Sequence, residues 1–240
     1  MKALAAQTAM ELRLMSRRGE NLLVTLVIPL VLLLFFGSTS VFAMGAERPV
    51  DFLVPGILAL AIMSTGMVSL GIATAYERHY GVLKRLGGSP LTRPQLIGAK
   101  ILSVVAVEAG QAVLLLGVAV LAFGWRPLGA WAAPLGIAIV GTVTFAGLGL
   151  LMAGALRAEA TLAGANGLYL IFALIGGMFL PVDHLPRALA GIAPYLPAGA
   201  LADLLRSSLE STTLSGFSLV VLLAWTVAFV ALAMRTFQWE

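Results

Sequence analysis

The sequence predicts an all-α integral membrane protein. The expected parts are six transmembrane helices, an N-terminal amphipathic helix on the membrane surface and a short helix in a cytoplasmic loop. Three observations predict this class. Of 240 residues, 60% are hydrophobic and 11% charged, against about 25% charged in soluble domains. Six apolar runs reach the roughly 20 residues needed to cross a hydrocarbon core of about 30 Å. Lys and Arg fall unevenly between those runs, eleven on one side and four on the other, which is the charge asymmetry that orients membrane proteins.

The elements follow in chain order. In residues 1–20, Leu4, Met10, Leu14 and Met15 share a helical stripe edged by Arg13, Arg17 and Arg18, the pattern of a helix lying on the inner leaflet. The spans are expected at 21–43, 52–76, 99–123, 130–156, 162–180 and 214–234. Pro29 removes a backbone hydrogen bond from the first span, and Thr25 stands four residues earlier, where it can help to satisfy the freed carbonyl. The glycines Gly141, Gly147, Gly149 and Gly154, and Gly164, Gly167, Gly176 and Gly177, permit close helix packing. Trp125, Trp131 and Trp239 read as interfacial belt residues. Two connections are long, one beginning at residue 77 and the other covering 181–213. No composition shift marks a boundary, so residues 1–240 form one transmembrane domain.

Charge placement puts the N-terminus, the loop at 77–95 and the C-terminus in the cytoplasm, and the Ala, Leu and Gly bias suggests a bacterial chain, hence a bacterial cytoplasmic membrane. The first 20 residues are too charged for a signal peptide, and the apolar run after them is too long for a cleavable segment. The basic excess is absorbed by topology, so no nucleic-acid partner is expected; membrane lipid is the expected surroundings. With no cysteine, disulfides and thiolate metal sites are excluded.

The loop at 77–95 has a pattern of its own. Tyr80, Leu83 and Leu86 recur every third residue, with Arg78, Lys84 and Arg85 mostly off that stripe. This suits a short surface helix with its apolar side inward. Gly87 and Gly88 can end it through a left-handed C-cap, and Ser89-Pro90 turns the chain. Thr92 and Gln95 form a capping box that starts the third span, with Arg93 at its first turn.

This segment resembles the corresponding loop of type-2 ABC transporter permeases, the daunorubicin-resistance-like export family. The matching residues are Glu77, Gly81, Leu83, Lys84, Leu86, Ser89, Pro90, Leu91, Thr92, Arg93, Gly98 and Lys100. His79 and Val82 depart from it, where the family often carries an acid and a threonine. A second resemblance covers Phe179 to Pro181, Leu185, Pro186, Ile192, Pro194, Leu196, Pro197 and Arg206; the prolines forbid one continuous helix there, and the resemblance implies short re-entrant helices before the last span. The resemblance implies a permease subunit that works with a separate cytoplasmic P-loop ATPase and a second permease copy or paralogue. ATP and Mg would be bound by the ATPase and no cofactor by this chain. It implies a coupling helix at Glu77, Arg78, Tyr80, Gly81, Leu83, Lys84 and Leu86, seated in the ATPase. It further implies efflux of an amphiphilic drug, antibiotic or lipid-like molecule, as in drug resistance.

The chain has no catalytic set of its own. None of its three lysines stands in G-x-x-x-x-G-K-[ST], the phosphate-cradling loop of nucleotide-binding enzymes. His79 and His184 are expected on opposite membrane faces, so no metal site is expected. Glu108, inside the third span, is costly if ionised, by roughly 2.5–3.5 kcal/mol. Gln111 shares its face. Together they mark a candidate substrate pathway, with helix-to-helix polar bonding as the plainer reading. The alternative function is a proton-coupled secondary transporter using Glu108, although such carriers are expected to show several buried ionisable groups or an internal repeat.

Overall fold

Two 31-residue helical rods set the frame of the bundle, Pro49–His79 and Arg93–Phe123. At 1.5 Å per residue each is about 46 Å long, well beyond a hydrocarbon core of about 30 Å, so each carries polar residues out of the apolar layer. They are seen in a computed structural model that describes residues 2–17, 19–39, 48–127, 131–210 and 213–237. Arg18, the end of the first expected span (40–43), Ala130 and Trp239 lie outside the described residues.

Among the described residues all regular structure is helical. Helix α1 is Lys2–Arg17 and α2 is Gly19–Ser38, with Pro29 inside it. The first rod consists of α3 (Pro49–Met63), a π-helical turn (Ser64–Ser69) and α4 (Leu70–His79). Helix α5 is Val82–Gly87, and α6 (Arg93–Phe123) is the second rod. Then come α7 (Ala132–Ala155) and α8 (Ala158–Ile175). The short helices α9 (Arg187–Ile192) and α10 (Pro197–Leu209) precede α11 (Gly216–Thr236). Among the described residues five helices are long and apolar enough to cross a membrane, or six if the bent α9–α10 pair counts as one span; α2 contributes a shorter apolar stretch, Thr25–Ser38.

The first rod is the most enclosed of these spans, with 78% of its apolar window buried, against 22% for α11. Its side chains Leu60, Met63 and Met67 pack with Phe145 of α7, Phe172 of α8, and Leu201 and Leu204 of α10. Close approach of the rod to α7 needs glycine on both sides. A Cβ on Gly71 would stand 3.0 Å from the Gly149 backbone, and one on Gly149 would stand 2.7 Å from the carbonyl oxygen of Met67. Gly164 and Gly167 differ from that expectation: a Cβ on either would meet open space.

The loop between the two rods, α1 and the end of α11 gather at one end of the bundle. There Leu83, Leu86, Leu96 and Ile97 pack with Phe237 and Met15. This is the basic end. At the far end, Leu33, Leu53, Trp125 and Leu209 form a separate cluster. Helix α8 leaves the basic end beside α7 and α11 returns to it, so residues 182–209 enter and leave at the far end. Pro186 and Pro197 open α9 and α10, and the pair bends by 77°. Helix α8 stops at Ile175, short of the expected residue 180, because Gly177 turns left-handed (φ 70°) and its carbonyl accepts a 3.0 Å bond from Arg206 Nη2. The Arg206 guanidinium also lies 3.9 Å over the Phe52 ring.

Helix α1 meets the bundle with a different face from the one its apolar stripe suggests. Gln7 and Glu11 are buried, whereas Met10 is 48% exposed. Leu4, Leu14 and Met15 are half-buried at the flanks. A buried cation on α6 sets this orientation, as described next.

Candidate functional site

Helix α4 carries the chain past the apolar layer and ends with Tyr80 at its C-cap. Gly81 then takes a left-handed conformation, φ 71° and ψ 15°. A Cβ there would touch nothing within 4 Å, so the need for glycine lies in the backbone alone. This residue breaks the helical register. Leu83 is buried and Leu86 packs beside it, but Tyr80 is 69% exposed and stacks on Tyr76 at 6.1 Å. The expected stripe of Tyr80, Leu83 and Leu86 is therefore split. Tyr80, Val82, Lys84 and Arg85 face outward.

The end of α5 also differs from expectation. Gly87 is helical and Gly88 is right-handed at φ −79°, so neither glycine makes a left-handed cap. Ser89 does the work: its hydroxyl donates to the Leu86 carbonyl at 2.6 Å and accepts from the Leu91 amide at 3.3 Å. Pro90, Thr92 and Arg93 are exposed. The Gln95 side chain accepts from the Thr92 amide at 3.0 Å and fixes the start of α6. A six-residue helix could not hold its shape alone in water; Leu83 and Leu86 below and these caps at its ends keep it in place.

Two polar contacts tie this loop to the bundle. Lys100 Nζ lies 2.7 Å from Glu77 Oε2 and 3.1 Å from Glu11, and the lysine is 1% exposed. Glu11 is held in turn by Gln7 Nε2 at 2.9 Å. One ammonium thus joins α1, α4 and α6. Breaking a buried ion pair by removing one partner costs about 3–5 kcal/mol, so the three helices are bound firmly at this point. Arg78 donates to the carbonyl of Gly154 at 2.5 Å and to that of Leu156. It therefore caps the C-terminus of α7, where a cation opposes the helix dipole. Sequence reasoning places Glu77 and Arg78 among residues facing an ATPase; here their charged groups point into the bundle.

Lys100 and Glu11 were missed as a pair. The available signal was a lysine eight residues past the Thr92 N-cap, in a stretch otherwise turning apolar. A cation at that depth needs a carboxylate partner, and an amphipathic N-terminal helix with one acid could supply it.

Deeper in the bundle, Glu108 and Gln111 line the same cavity of about 200 Å³ between α3, α6, α7 and α10. Their contacts differ. Gln111 Nε2 donates to the Thr25 carbonyl at 3.3 Å and its Oε1 accepts from Thr65 at 3.0 Å, so it joins α2 and the π turn to α6. Glu108 Oε2 accepts from Thr142 of α7, and Oε1 has no hydrogen-bond partner among the described residues. A second cleft of about 280 Å³ lies between α2, the π turn and α8, lined by Thr25, Pro29, Ser64, Ser69, Asn166 and Tyr169.

Comparison with known proteins agrees with this architecture. Residues 3–209 match the family described as ABC-2 type transporter. A relative from Bacillus subtilis (strain 168), named "Putative transport permease YvfS", is 26% identical over 210 residues, covering 82% of each chain. The family match spans both rods, the loop between them and the bent α9–α10 pair, and on that basis the chain belongs to the ABC-2 type transporter family of membrane permeases.

Proposed function

We propose that this permease is the membrane half of an ATP-driven exporter, with ATP and Mg held by a separate P-loop ATPase on the cytoplasmic side. The observation that carries the reading is α5. It presents Tyr80, Val82, Lys84 and Arg85 outward, while Leu83 and Leu86 and the ion pairs at Lys100 and Arg78 tie it to three of the long helices. A partner that grips this face can move the rods, because its push meets a packed joint in place of a soft loop. In this reading the exposed residues of the coupling helix meet the ATPase, and Glu77 and Arg78 transmit what they receive. The basic end lies in the cytoplasm, with both chain termini, as the positive-inside rule suggests. A second permease copy or paralogue completes the pathway across a bacterial inner membrane, and the cargo is an amphiphilic drug, antibiotic or lipid-like molecule. The cleft at Pro29 and the π turn, where Ser64, Ser69 and Asn166 interrupt an apolar lining, supports a path between α2 and α8.

Proton-driven transport through Glu108 is less well supported. Apart from Glu108 itself, Gln111, Thr142 and Trp131, the cavity is lined by apolar residues, a poor route for a proton to either face.

The test uses the chain co-expressed with an ATPase encoded beside it. A Tyr80→Ala, Lys84→Glu double variant is expected to keep membrane insertion and thermal stability. It should lose co-purification of the ATPase, or lose cargo-stimulated ATP turnover. A variant that binds and stimulates like the parent would overturn the role of this face.

A further inference from the structure

The cavity between α3, α6, α7 and α10 joins an apolar wall to one incomplete polar group. Leu58, Ile62, Val105, Leu116 and Ala138 contribute to the wall. Glu108 is 8% exposed, with Oε2 on Thr142 and Oε1 lacking a donor among the described residues. Gln111 does not complete it: its Oε1 accepts from Thr65 and its Nε2 donates to the Thr25 carbonyl, and no bond from it reaches Glu108 Oε1. Water fills such a place poorly, because an ordered buried water needs two to four polar partners. The side of the cavity carrying Ala109, Leu135 and Ile139 is exposed, on the flanks of α6 and α7 that would face lipid acyl chains. The site therefore lacks one donor on an apolar body, delivered from within the bilayer.

We propose that this cavity binds a single-chain amphiphilic amine, whose ammonium group donates to Glu108 Oε1 while its hydrocarbon lies along the wall and out between α6 and α7. In so apolar a setting the charge-assisted bond of an ammonium to a carboxylate is stronger than a neutral one. A neutral alcohol of equal length meets the same wall but makes a weaker bond, and an ionised fatty acid offers Oε1 no donor. Binding needs neither ATP nor a partner chain, so it stands apart from the transport reading.

Trp131 borders the cavity, which gives a direct reporter. The probe is 11-bromoundecylamine, compared with 11-bromoundecanol, added to the full chain in detergent micelles. The amine is expected to quench Trp131 fluorescence saturably, at a concentration roughly tenfold or more below that required by the alcohol. Trp131→Phe should remove the saturable component. Glu108→Gln should abolish the preference for the amine. Ala109→Phe, which keeps the carboxylate and narrows the mouth, should weaken binding of both probes. Equal quenching by amine and alcohol in the parent chain would overturn the proposal. So would a preference unchanged in Glu108→Gln or, if that variant does not fold, binding undiminished in Ala109→Phe.

Discussion

Gln111 Nε2 lies 3.3 Å from the carbonyl oxygen of Thr25, the acceptor that loses its helical donor because residue 29 is proline. The amide of residue 29 would normally bond the carbonyl four residues earlier, and proline has no such hydrogen. A side chain 86 residues away in sequence fills the gap. Pro29 and Gln111 are therefore one structural unit, and the kink in α2 is stabilised from α6.

This linkage predicts a non-additive pair. Gln111→Leu should destabilise the bundle by about 1–3 kcal/mol, the cost of a buried polar group left unpaired. Pro29→Ala restores the missing donor, so Gln111→Leu should cost clearly less in the Pro29→Ala background. Thermal unfolding of the four proteins of the cycle in detergent measures the coupling; strict additivity would show that the two residues act separately.

The ion cluster at Lys100 predicts a graded response. Lys100→Met leaves two buried carboxylates without their cation and should cost about 3–5 kcal/mol. Glu11→Gln keeps the Lys100–Glu77 pair and should cost less, but it loosens α1. Because Arg13 and Arg17 are exposed on that helix, limited trypsin digestion should cut Glu11→Gln faster than the parent at those two sites. Unchanged cleavage would mean that other contacts hold α1 in place.

Backbone conformation predicts opposite outcomes at two nearby glycines. Gly81→Ala forces a Cβ into the left-handed region and should cost about 1–2 kcal/mol. Gly88 is right-handed at φ −79° with no near side-chain neighbour, so Gly88→Ala should change stability by less than about 0.5 kcal/mol. Thermal unfolding distinguishes them, and the same variants assayed with an ATPase partner would show whether loop geometry also governs coupling.

The parts legible in the sequence are those with a local or periodic signature. Long apolar runs marked α6, α7 and α11 because a bilayer tolerates little else. Thr92 and Gln95 announced the start of α6 through a four-residue cap. The prolines before α9 and α10 forbade one continuous helix there. What stayed hidden depended on distant partners or on one dihedral angle. Glu11 and Lys100 are 89 residues apart, and no periodic pattern records such a pair. Tyr80 read as inward-facing because a spacing of three assumes an unbroken helix, and Gly81 breaks it. Glu108 was legible as an anomaly, while the apolar-walled cavity around it needed four separate helices to be placed.

The close crossing at Gly71 and Gly149 has a mechanical consequence. Along the first rod, the loop at Gly81 lies about 15 Å from this crossing and Pro49 about 33 Å from it on the other side. Used as a fulcrum, the crossing gives unequal arms: a tilt imposed at the loop displaces the far end about twice as far. The π turn sits on the long arm beside the fulcrum, so the stiffness of those six residues determines how much of that amplified swing arrives at the opposite membrane face.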